Sequence, residues 1–340
     1  MMHSNNTVFL FLAATIFSLT GCGKDSDFSG DNATCPEEIS TVYSTPSYVP
    51  TSRYATCVFD YTPAPGQFIN DPTSGGMPAD LSDPTAAAEW AQSRLEKKLF
   101  VSLGSFGGYI TVGFDHEVKN SNGDYDFAIF GNAFFGATGS GGSNEPGIVY
   151  VMEDTNTNGL PDDTWYELRG SDYYQPSTIH DYSVTYFRPA SPAMPVEWHD
   201  NLGNSGSIAY LKAFHKQDYY YPAWIKEDSY TLSGTKLPAR TETDPETGLI
   251  SNNPYAWGYA DNMGEDNIAL DGMPQANRFR IADAVNSEGN TVKLRSISFV
   301  KVQTAILNNA GILGEVSTEV FGFYDLMTNP DDTAVPMIHN

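Results

Sequence analysis

The stretch YITVGF, residues 109–114, has the alternation of side chains that a half-buried β-strand requires. Ile110, Val112 and Phe114 would point to one face of a sheet, and the residues between them would point to the other. Because one face is strongly apolar, we expect this strand to lie against a buried core.

Seven further segments have the alternation and the composition of strands. Aromatic residues make up 13% of the chain, Gly and Pro are frequent, and long helical patterns are scarce. These features predict an all-β protein, a β-sandwich with long loops. The seven segments are DFAIFG (126–131), GIVYVM (147–152), TWYEL (164–168), YSVTYF (182–187), RFRIAD (278–283), LRSISFVKV (294–302) and TEVFGFY (318–324).

One segment, SDPTAAAEWAQSRLEKK (82–98), has the pattern of a helix. Ser82 or Asp83 can cap its N-terminus, and Pro84 suits the first turn. The two lysines at its end suit the negative end of the helix dipole. We therefore expect one short accessory helix, which could close one end of the sandwich.

The N-terminal region has the pattern of an exported lipoprotein. Val8–Thr20 is an apolar run that is too short to span a bilayer and is typical of a secretory signal. The sequence Leu-Thr-Gly-Cys at 19–22 follows, and it resembles the lipobox of bacterial lipoproteins. We therefore predict a signal peptide over residues 1–21 and lipidation of Cys22, whose lipid would be the only attachment to the membrane.

Residues 22–34 are acidic and poor in apolar side chains, which predicts a flexible tether. The segment GKDSDFSGDN (23–32) also resembles the acidic export signals of Bacteroidetes-type lipoproteins that face the exterior. The predicted location is therefore the outer face of the outer membrane. Because no clear linker follows, residues 35–330 are predicted to form a single elaborated β-sandwich domain.

Cys35 and Cys57 would both lie in an oxidising compartment after export. Disulfides form and persist in such compartments, so we expect these two cysteines to pair. Two separate buried thiols are the alternative.

The chain has 42 acidic and 18 basic residues and a formal charge of -24. A nucleic acid or an anionic lipid surface is an unfavourable partner, because its phosphates would be repelled. Most of the negative charge can be explained by the solubility that an exported protein needs.

The segment EDTNTNGLPDD, Glu153–Asp163, has oxygen-bearing side chains at the spacing of calcium loops. Gly159 has the backbone freedom that a tight curl needs, and hard oxygen ligands without His or Cys favour calcium. Trp165 occupies the twelfth position, so the loop is not an EF-hand and is more similar to the loops of dockerin and thrombospondin type 3 repeats. The predicted ligands of a structural calcium ion are Asp154, Asn156, Asn158, the carbonyl group of Leu160, Asp162 and Asp163.

The alternative for this segment is a tight turn without an ion. Asp and Asn are common in turns, because their side chains accept hydrogen bonds from nearby backbone amides. We favour a bound cation, since three uncompensated carboxylates so close in sequence would repel one another.

Known catalytic motifs are absent from the sequence, and we do not predict an enzyme. There is no G-x-S-x-G elbow, no H-E-x-x-H, no P-loop and no C-x-x-C. A hydrolase that works through two carboxylates stays open, because almost any two of the 42 acidic residues could converge in the fold.

Several long segments together resemble a family of bacterial cell-surface proteins, mostly lipoproteins of Bacteroidetes. They include VSLGSFGGYITVGFDHEVKNSNGDYDFAIFGNAF (101–134), SNEPGIVYVMEDTNTNGLPDDTWYEL (143–168) and GEVSTEVFGFYDL (314–326). The resemblance implies a jelly-roll-like β-sandwich of the carbohydrate-binding-module type. Some members of the family are encoded beside TonB-dependent cobalamin receptors, which implies an accessory role in uptake of the vitamin.

Two aromatic segments, HKQDYYYPAW (215–224) and NPYAWGYADN (253–262), are the best places to look for a ligand site. Rings among polar groups in such loops can stack on a ligand while their edges hydrogen-bond to it. The alternative for any single ring is packing beneath a long loop, with the hydroxyl group bonded to the backbone. The candidate ligand-binding residues are Tyr219, Tyr220, Tyr221, Trp224, Tyr255, Trp257 and Tyr259.

Three functions follow from these patterns. The leading hypothesis is a surface lipoprotein that binds a corrinoid such as cobalamin and serves a TonB-dependent outer-membrane receptor. A glycan-binding module or weak glycosidase is the second, and a groove lined by aromatic rings with a carboxylate pair would favour it. A structural or adhesive surface protein is the third, favoured if the aromatic loops are buried and no concave pocket exists.

Overall fold

The YITVGF stretch lies within the strand Tyr109–Lys119, which has a hydrogen-bonded neighbour on each side in a six-stranded sheet. The described residues all belong to one unit of the chain, Thr34–Asn340, and none of their helices is long and apolar enough to cross a bilayer. The predicted signal peptide, tether and domain limits lie outside the described residues, as do Cys22 and Cys35. The computed structural model describes residues 52–72, 76–78, 83–136, 142–213 and 215–327.

The described residues form eighteen strands, one α-helix and two 3₁₀ helices. The helix α1 spans Pro84–Glu96, and the 3₁₀ helices span Ile281–Asp283 and Gly311–Leu313. The strands are β1 (Cys57–Thr62), β2 (Val101–Ser102), β3 (Tyr109–Lys119), β4 (Phe127–Phe130), β5 (Gly147–Met152), β6 (Tyr166–Leu168), β7 (Ile179–Phe187), β8 (Val196–Asp200), β9 (Ser205–Ile208), β10 (Ser229–Lys236), β11 (Thr241–Thr243), β12 (Ile250–Asn252), β13 (Asn267–Leu270), β14 (Met273–Phe279), β15 (Ala284–Val285), β16 (Ser296–Thr304), β17 (Glu319–Val320) and β18 (Gly322–Asp325).

These strands form three main sheets, and every strand pair that the structure describes is antiparallel. The first sheet has six strands in the order β1-β3-β16-β5-β6-β15. The second has the order β13-β14-β4-β18 and the third the order β10-β7-β8-β9. Two small sheets, β11-β12 and β2-β17, are also present.

The first and second sheets bury their apolar side chains in one common core. Ile110, Val112 and Val300 of the first sheet share it with Phe127 and Phe279 of the second. Burying each such side chain stabilises the fold by about 1.5–3 kcal/mol, so this shared core holds the two layers together. The prediction of an all-β sandwich is confirmed.

The third sheet has a core of its own. Tyr182 and Tyr186 of β7 and Leu232 of β10 pack there with Phe106. The hydroxyl group of Tyr186 also donates to the carbonyl oxygen of Phe106 at 2.8 Å. This hydrogen bond ties the third sheet to the loop between β2 and β3.

The predicted helix is confirmed as α1, and it begins where the sequence pattern indicates. A carboxylate oxygen of Asp83 accepts the N–H group of Ala86 at 2.9 Å, which caps the N-terminus. Trp90 stacks on Tyr61 of β1, with ring centroids 5.6 Å apart. The helix therefore packs against β1, an edge strand of the six-stranded sheet.

The strand predictions differ from the structure in several places. The strands β1, β2 and β15 lie outside the predicted segments, and TEVFGFY forms two strands, β17 and β18. RFRIAD is a strand only as far as Phe279, and the chain then turns into the 3₁₀ helix Ile281–Asp283. The sequence pattern predicts no strand between residues 188 and 277, where β8 to β13 and most of β14 lie. Several of these strands are short and largely exposed, β9 and β11 among them, so they lack the apolar alternation that marks a buried strand.

His116 of β3 connects the two packed sheets. Its buried imidazole ring lies between two carboxylates, with Nδ1 2.6 Å from Asp115 and Nε2 2.9 Å from Asp325 of β18. Burial lowers the pKa of His116, but the hydrogen bonds to the two carboxylates outweigh this effect and raise the pKa to about 9. The imidazole is therefore charged at neutral pH and forms an ion pair with β18.

Replacing His116 with Asn should remove a pH-dependent contribution to stability. A basic group whose pKa is raised by folding adds stability that is complete below its unfolded pKa, about 6.5, and is lost as the pH rises through its folded pKa. We expect the free-energy difference between wild type and His116→Asn to fall by at most about 3 kcal/mol between about pH 6 and about pH 10, measured by urea unfolding. A difference that stays constant over this range would show that the imidazole is not charged in the folded protein.

Candidate functional site

A recess of about 240 Å³, including the solvent at its mouth, opens near the ends of β6 and β14. We call it the arginine recess, because three of the eight arginines in the sequence line it. Two aromatic rings and two carboxylates complete its polar lining. The residues are Arg169, Arg278 and Arg280, Tyr125 and Trp257, and Asp266 and Asp283.

Two of the arginines come from the end of β14. Arg278 is in the strand and Arg280 follows in extended conformation, so strand alternation puts both side chains on the same side. Their Cζ atoms lie 4.2 and 4.1 Å from the ring centroid of Tyr125, which attracts and positions both cations. Among the described residues neither arginine has an ion-pair partner within 4.0 Å, and the buried Nε of Arg280 has no hydrogen-bond partner.

The two carboxylates of the recess already have partners in the fold. Asp283 pairs with Nε of Arg169 at 3.3 Å. Asp266 accepts the N–H group of Gly258 at 2.6 Å and the side-chain amide of Asn277 at 3.0 Å. Burial also raises the pKa of Asp266 above its usual value.

Trp257 is half-buried and reaches the recess from a tight turn. Gly258 in this turn has a φ of 87°, and a Cβ atom there would lie 2.5 Å from Cα of Gly170. Only glycine fits such a position without strain. Asp266 fixes the turn by accepting the N–H group of Gly258, so the position of Trp257 is set by the fold.

Most of the predicted ligand-binding rings lie elsewhere. Two of the seven, Tyr219 and Trp257, are partly exposed, and of these only Trp257 lines the recess. The other five are at most 3% exposed, so they cannot offer a face to a ligand, and packing beneath the loops describes them correctly. The buried rings are Tyr220, Tyr221, Trp224, Tyr255 and Tyr259.

The buried rings belong to three separate clusters, so the two aromatic segments do not form one platform. Tyr221 packs in the core of the third sheet and Trp224 in the main core, while Tyr255 packs in a third cluster. The Tyr221 hydroxyl donates to the backbone carbonyl of Glu227 at 2.8 Å. The role of the buried rings is therefore to attach long loops to the sandwich.

The predicted calcium loop is closed by its own hydrogen bonds. Asp154 accepts the N–H groups of Asn158 and Gly159 at 3.2 and 2.9 Å. The side-chain amides of Asn156 and Asn158 donate to Asp162 at 3.0 and 2.9 Å. The chain curls around Gly159, whose φ is 75°. The oxygen atoms of Asp154 and Asp162 accept hydrogen bonds from N–H groups of the same loop. Calcium binding by the loop stays a prediction.

The last two predicted calcium ligands lie at the edge of the same curl. Asp163 accepts the N–H group of Thr155 at 3.0 Å. Leu160 is 43% exposed and donates its own N–H group to Asn158 at 2.8 Å. Within the part of the chain that the structure describes, three acidic residues approach one another as closely as 4.8 Å at one place only, and that place is not this loop.

That place is a cluster that the sequence pattern does not indicate. Glu145, Asp261 and Glu319 have oxygen atoms within 4.8 Å of one another, and we call them the carboxylate cluster. Asp261 accepts three backbone N–H groups at 2.8–3.0 Å. Glu319 accepts the hydroxyl groups of Ser102 and Ser317 at 3.0 and 2.9 Å. Three segments far apart in sequence are joined by these bonds.

The electrostatics of the carboxylate cluster favour protonation. Burial raises the pKa values of all three groups, and repulsion between the carboxylates raises those of Glu145 and Glu319 further. The three N–H donors oppose the rise at Asp261, so this group should lose its proton first. Such a cluster can share protons near neutral pH, and its hard oxygen atoms are also of the type that binds a divalent cation.

Cys57 forms a disulfide bond, so it is not a free thiol. Its partner cysteine lies outside the described residues, and the pairing with Cys35 stays a prediction. The lipidation of Cys22 falls in the same part of the chain and also stays a prediction.

No family model and no curated protein matches this sequence. The sequence offers two signals for the recess. The aromatic segment 253–262 contains Trp257, and the alternation of RFRIAD puts two basic side chains on one side of a strand.

Replacing Glu319 with Gln should stabilise the protein at alkaline pH in the presence of a chelator. A carboxyl group whose pKa is raised by folding loses stability as the pH rises above its unfolded value, about 4.5. Gln keeps an acceptor oxygen for Ser102 and Ser317 and cannot ionise. We expect the melting temperature of the variant to exceed that of wild type by a margin that grows from about pH 6 to about pH 9. The exposed Glu246→Gln is the control and should show no such trend; an unchanging margin for Glu319→Gln would mean that its pKa is not raised.

Proposed function

We propose that the protein is a lipid-anchored binding protein of the bacterial surface that holds a small ligand for a TonB-dependent uptake receptor. The observation that supports binding is the arginine recess, an open concave site with positioned cations and a ring at its rim. The lipobox-like sequence at 19–22 supports the anchor, and the acidic segment that follows supports the exterior location. The resemblance to surface lipoproteins encoded beside cobalamin receptors supports a role in uptake.

A corrinoid such as cobalamin is the first ligand class to test. The recess encloses little more than the space of about one water molecule, far less than the roughly 300–1,000 Å³ of pockets that enclose a drug-sized molecule. A corrin ring would therefore lie across the mouth of the recess. Trp257, half-buried in the recess lining, is the ring available to pack against it.

A glycosidase is less well supported, because two of the three carboxylates that converge are buried and only Glu145 is partly exposed. A retaining enzyme needs two carboxyl groups roughly 5 Å apart on either side of a bound sugar. The carboxylate cluster has similar spacing, but Asp261 and Glu319 are 1% and 3% exposed, so a sugar cannot reach them. In the recess, Asp266 and Asp283 are engaged by other groups of the fold.

A structural or adhesive role is supported by one feature, the burial of five of the seven candidate rings. That role also requires the lack of a concave pocket, whereas the arginine recess is concave. Two of its arginines have no ion-pair partner among the described residues, which leaves their charge to be matched by a ligand. Ligand binding therefore accounts for more of the structure than adhesion does.

We also propose that the loop Glu153–Asp163 holds a structural calcium ion through its six predicted ligands. The curl around Gly159 supports this, as does the donor set, which consists of hard oxygen atoms. Among the described residues, Asp154, Asp162 and Asp163 have no Lys, Arg or His within ion-pair distance. A bound cation would relieve the repulsion between them.

Two tryptophans provide a matched test of ligand binding. Trp257 is half-buried at the recess, whereas Trp224 is 3% exposed in the main core. We expect Trp257→Ala to weaken cobalamin binding by about tenfold or more with little change in melting temperature. Trp224→Ala should lower the melting temperature and leave the affinity of the folded fraction unchanged.

Calorimetry and thermal unfolding on the same samples measure both effects. If wild-type protein gives no binding signal with any corrinoid at micromolar concentration, the proposed corrinoid ligand is wrong. If Trp257→Ala binds as tightly as wild type, the ligand does not use the recess.

Calcium should raise the melting temperature of wild type and leave that of Asp154→Ala unchanged. The reason is that an ion bound only by the folded state stabilises that state by mass action. Glu319→Gln is the control, because it alters the carboxylate cluster and not the loop, and it should keep the calcium response. Loss of the response in Glu319→Gln alone would move the ion to the cluster, and equal melting curves in calcium and chelator would rule out a structural ion.

A further inference from the structure

The arginine recess stands out against the charge of the rest of the chain. The protein has a formal charge of -24, and only 18 of its residues are basic. Three of its eight arginines nevertheless line one recess of about 240 Å³. A random distribution of so few cations would not concentrate them, so the recess has an electrostatic character of its own.

The positions of Arg278 and Arg280 are fixed before any ligand arrives. Both guanidinium groups lie over the ring of Tyr125, at 4.2 and 4.1 Å from its centroid. In addition, Nε of Arg278 donates to the backbone carbonyl of Asp266 at 3.2 Å. Two positioned guanidinium groups present their N–H donors in the planar geometry that carboxylates and phosphates accept.

The two arginines lack the counter-charge that their proximity calls for. No carboxylate among the described residues lies within 4.0 Å of either side chain's nitrogen atoms. The buried Nε of Arg280 has no acceptor at all in this part of the chain. An unsatisfied buried donor on this half-buried cation is costly, and an incoming anion would compensate the charge of the guanidinium group.

The carboxylates within the recess do not take this role. Asp283 pairs with Arg169 at 3.3 Å. The oxygen atoms of Asp266 accept hydrogen bonds from Gly258 and Asn277. Asp266 attracts Arg278 electrostatically, but neither acid forms a direct ion pair with Arg278 or Arg280.

The size of the recess and its rim limit what the anion can be attached to. The space enclosed by the recess is enough for about one water molecule, and the rest of its volume is open to solvent at the mouth. An oxyanion would therefore lie at the mouth, and the half-buried Trp257 in the lining is the ring available beside it. The ligand therefore needs a charged end and a compact ring close to it.

We propose that the arginine recess binds an oxyanion, a carboxylate or a phosphate ester, carried by a small ring-containing ligand. Arg278 and Arg280 hold the oxyanion, and Trp257 packs against the ring. This inference rests on the proposed binding function and narrows it to anionic ligands.

The strong negative charge of the protein does not prevent such binding. Exposed charges are screened over about 8 Å at physiological ionic strength, so distant carboxylates repel an incoming anion only weakly. Within the recess three guanidinium groups face two carboxylates, so the local charge is positive. The protein's net charge should instead slow association at low salt, because repulsion then reaches further.

The experiment compares anionic sugars with a neutral sugar of the same ring. Glucuronate and glucose 6-phosphate are the carboxylate and phosphate probes, and glucose is the uncharged control. Binding to the full-length protein purified in detergent is measured by calorimetry at millimolar ligand. We expect the two anionic sugars to bind and glucose not to bind, and the tighter of the two identifies the oxyanion.

Substitutions then place the anion in the recess. Arg278→Gln and Arg280→Gln should each weaken binding by about tenfold or more, since each removes a charged hydrogen-bond donor. Arg188→Gln is the matched control, because Arg188 also lies over a tyrosine ring, that of Tyr221 at 4.4 Å, but outside the recess. Its affinity should equal that of wild type, and melting curves confirm that all three variants are folded.

Three results would overturn the inference. They are equal binding of glucose and glucuronate, retention of wild-type affinity in both recess variants, and no binding of either anionic sugar. Titration with cobalamin distinguishes failure of the oxyanion site from failure of the proposed binding function. Protein that binds cobalamin but neither anionic sugar refutes only the oxyanion site, whereas protein that binds neither class refutes the binding function as well.

Discussion

The need to satisfy buried backbone groups governs how the long loops of this protein cover its sandwich. A backbone N–H or C=O group that is buried away from water must form a hydrogen bond within the protein, and loops lack the regular backbone hydrogen bonds of a β-sheet. Here polar side chains supply it from inside. Asp261 accepts three backbone N–H groups, Asn262 bonds to both the N–H and the carbonyl of Tyr255, and Asp126 accepts the N–H groups of Ser121 and Ile281. The aromatic loops can therefore pack inward, and their rings become part of the core.

This use of polar groups changes the meaning of the acidic composition. Solubility explains carboxylates on the surface, but Asp126, Asp261 and Asp266 are at most 1% exposed and act as hydrogen-bond acceptors for the backbone. In the carboxylate cluster, Glu145, Asp261 and Glu319 lie close together. Burial and the repulsion between their carboxylates raise the pKa values of the cluster. The cluster is thus a consequence of folding loops over a sheet, and its protonation is part of the stability of the fold.

The sequence predicts the sandwich layers well, because strand alternation and helix capping are local signals. YITVGF and GIVYVM become β3 and β5, and Asp83 caps α1. The sites are predicted poorly, because Tyr125, Arg169, Trp257 and Arg278 meet only after the chain has folded. Aromatic composition pointed to the segment that holds Trp257 but could not separate this half-buried ring from buried Tyr255 and Tyr259, since large rings serve cores and ligands alike.

Asp266 links the fold to the recess. Its carboxylate accepts the N–H group of Gly258, in the turn that carries Trp257, and the amide of Asn277, next to Arg278. Its backbone carbonyl accepts hydrogen bonds from both the backbone N–H and Nε of Arg278. The turn that carries Trp257 and the strand end that carries Arg278 are therefore both held by one buried residue. In the proposed site Asp266 would act in positioning, whereas Arg278, Arg280 and Trp257 would contact the ligand.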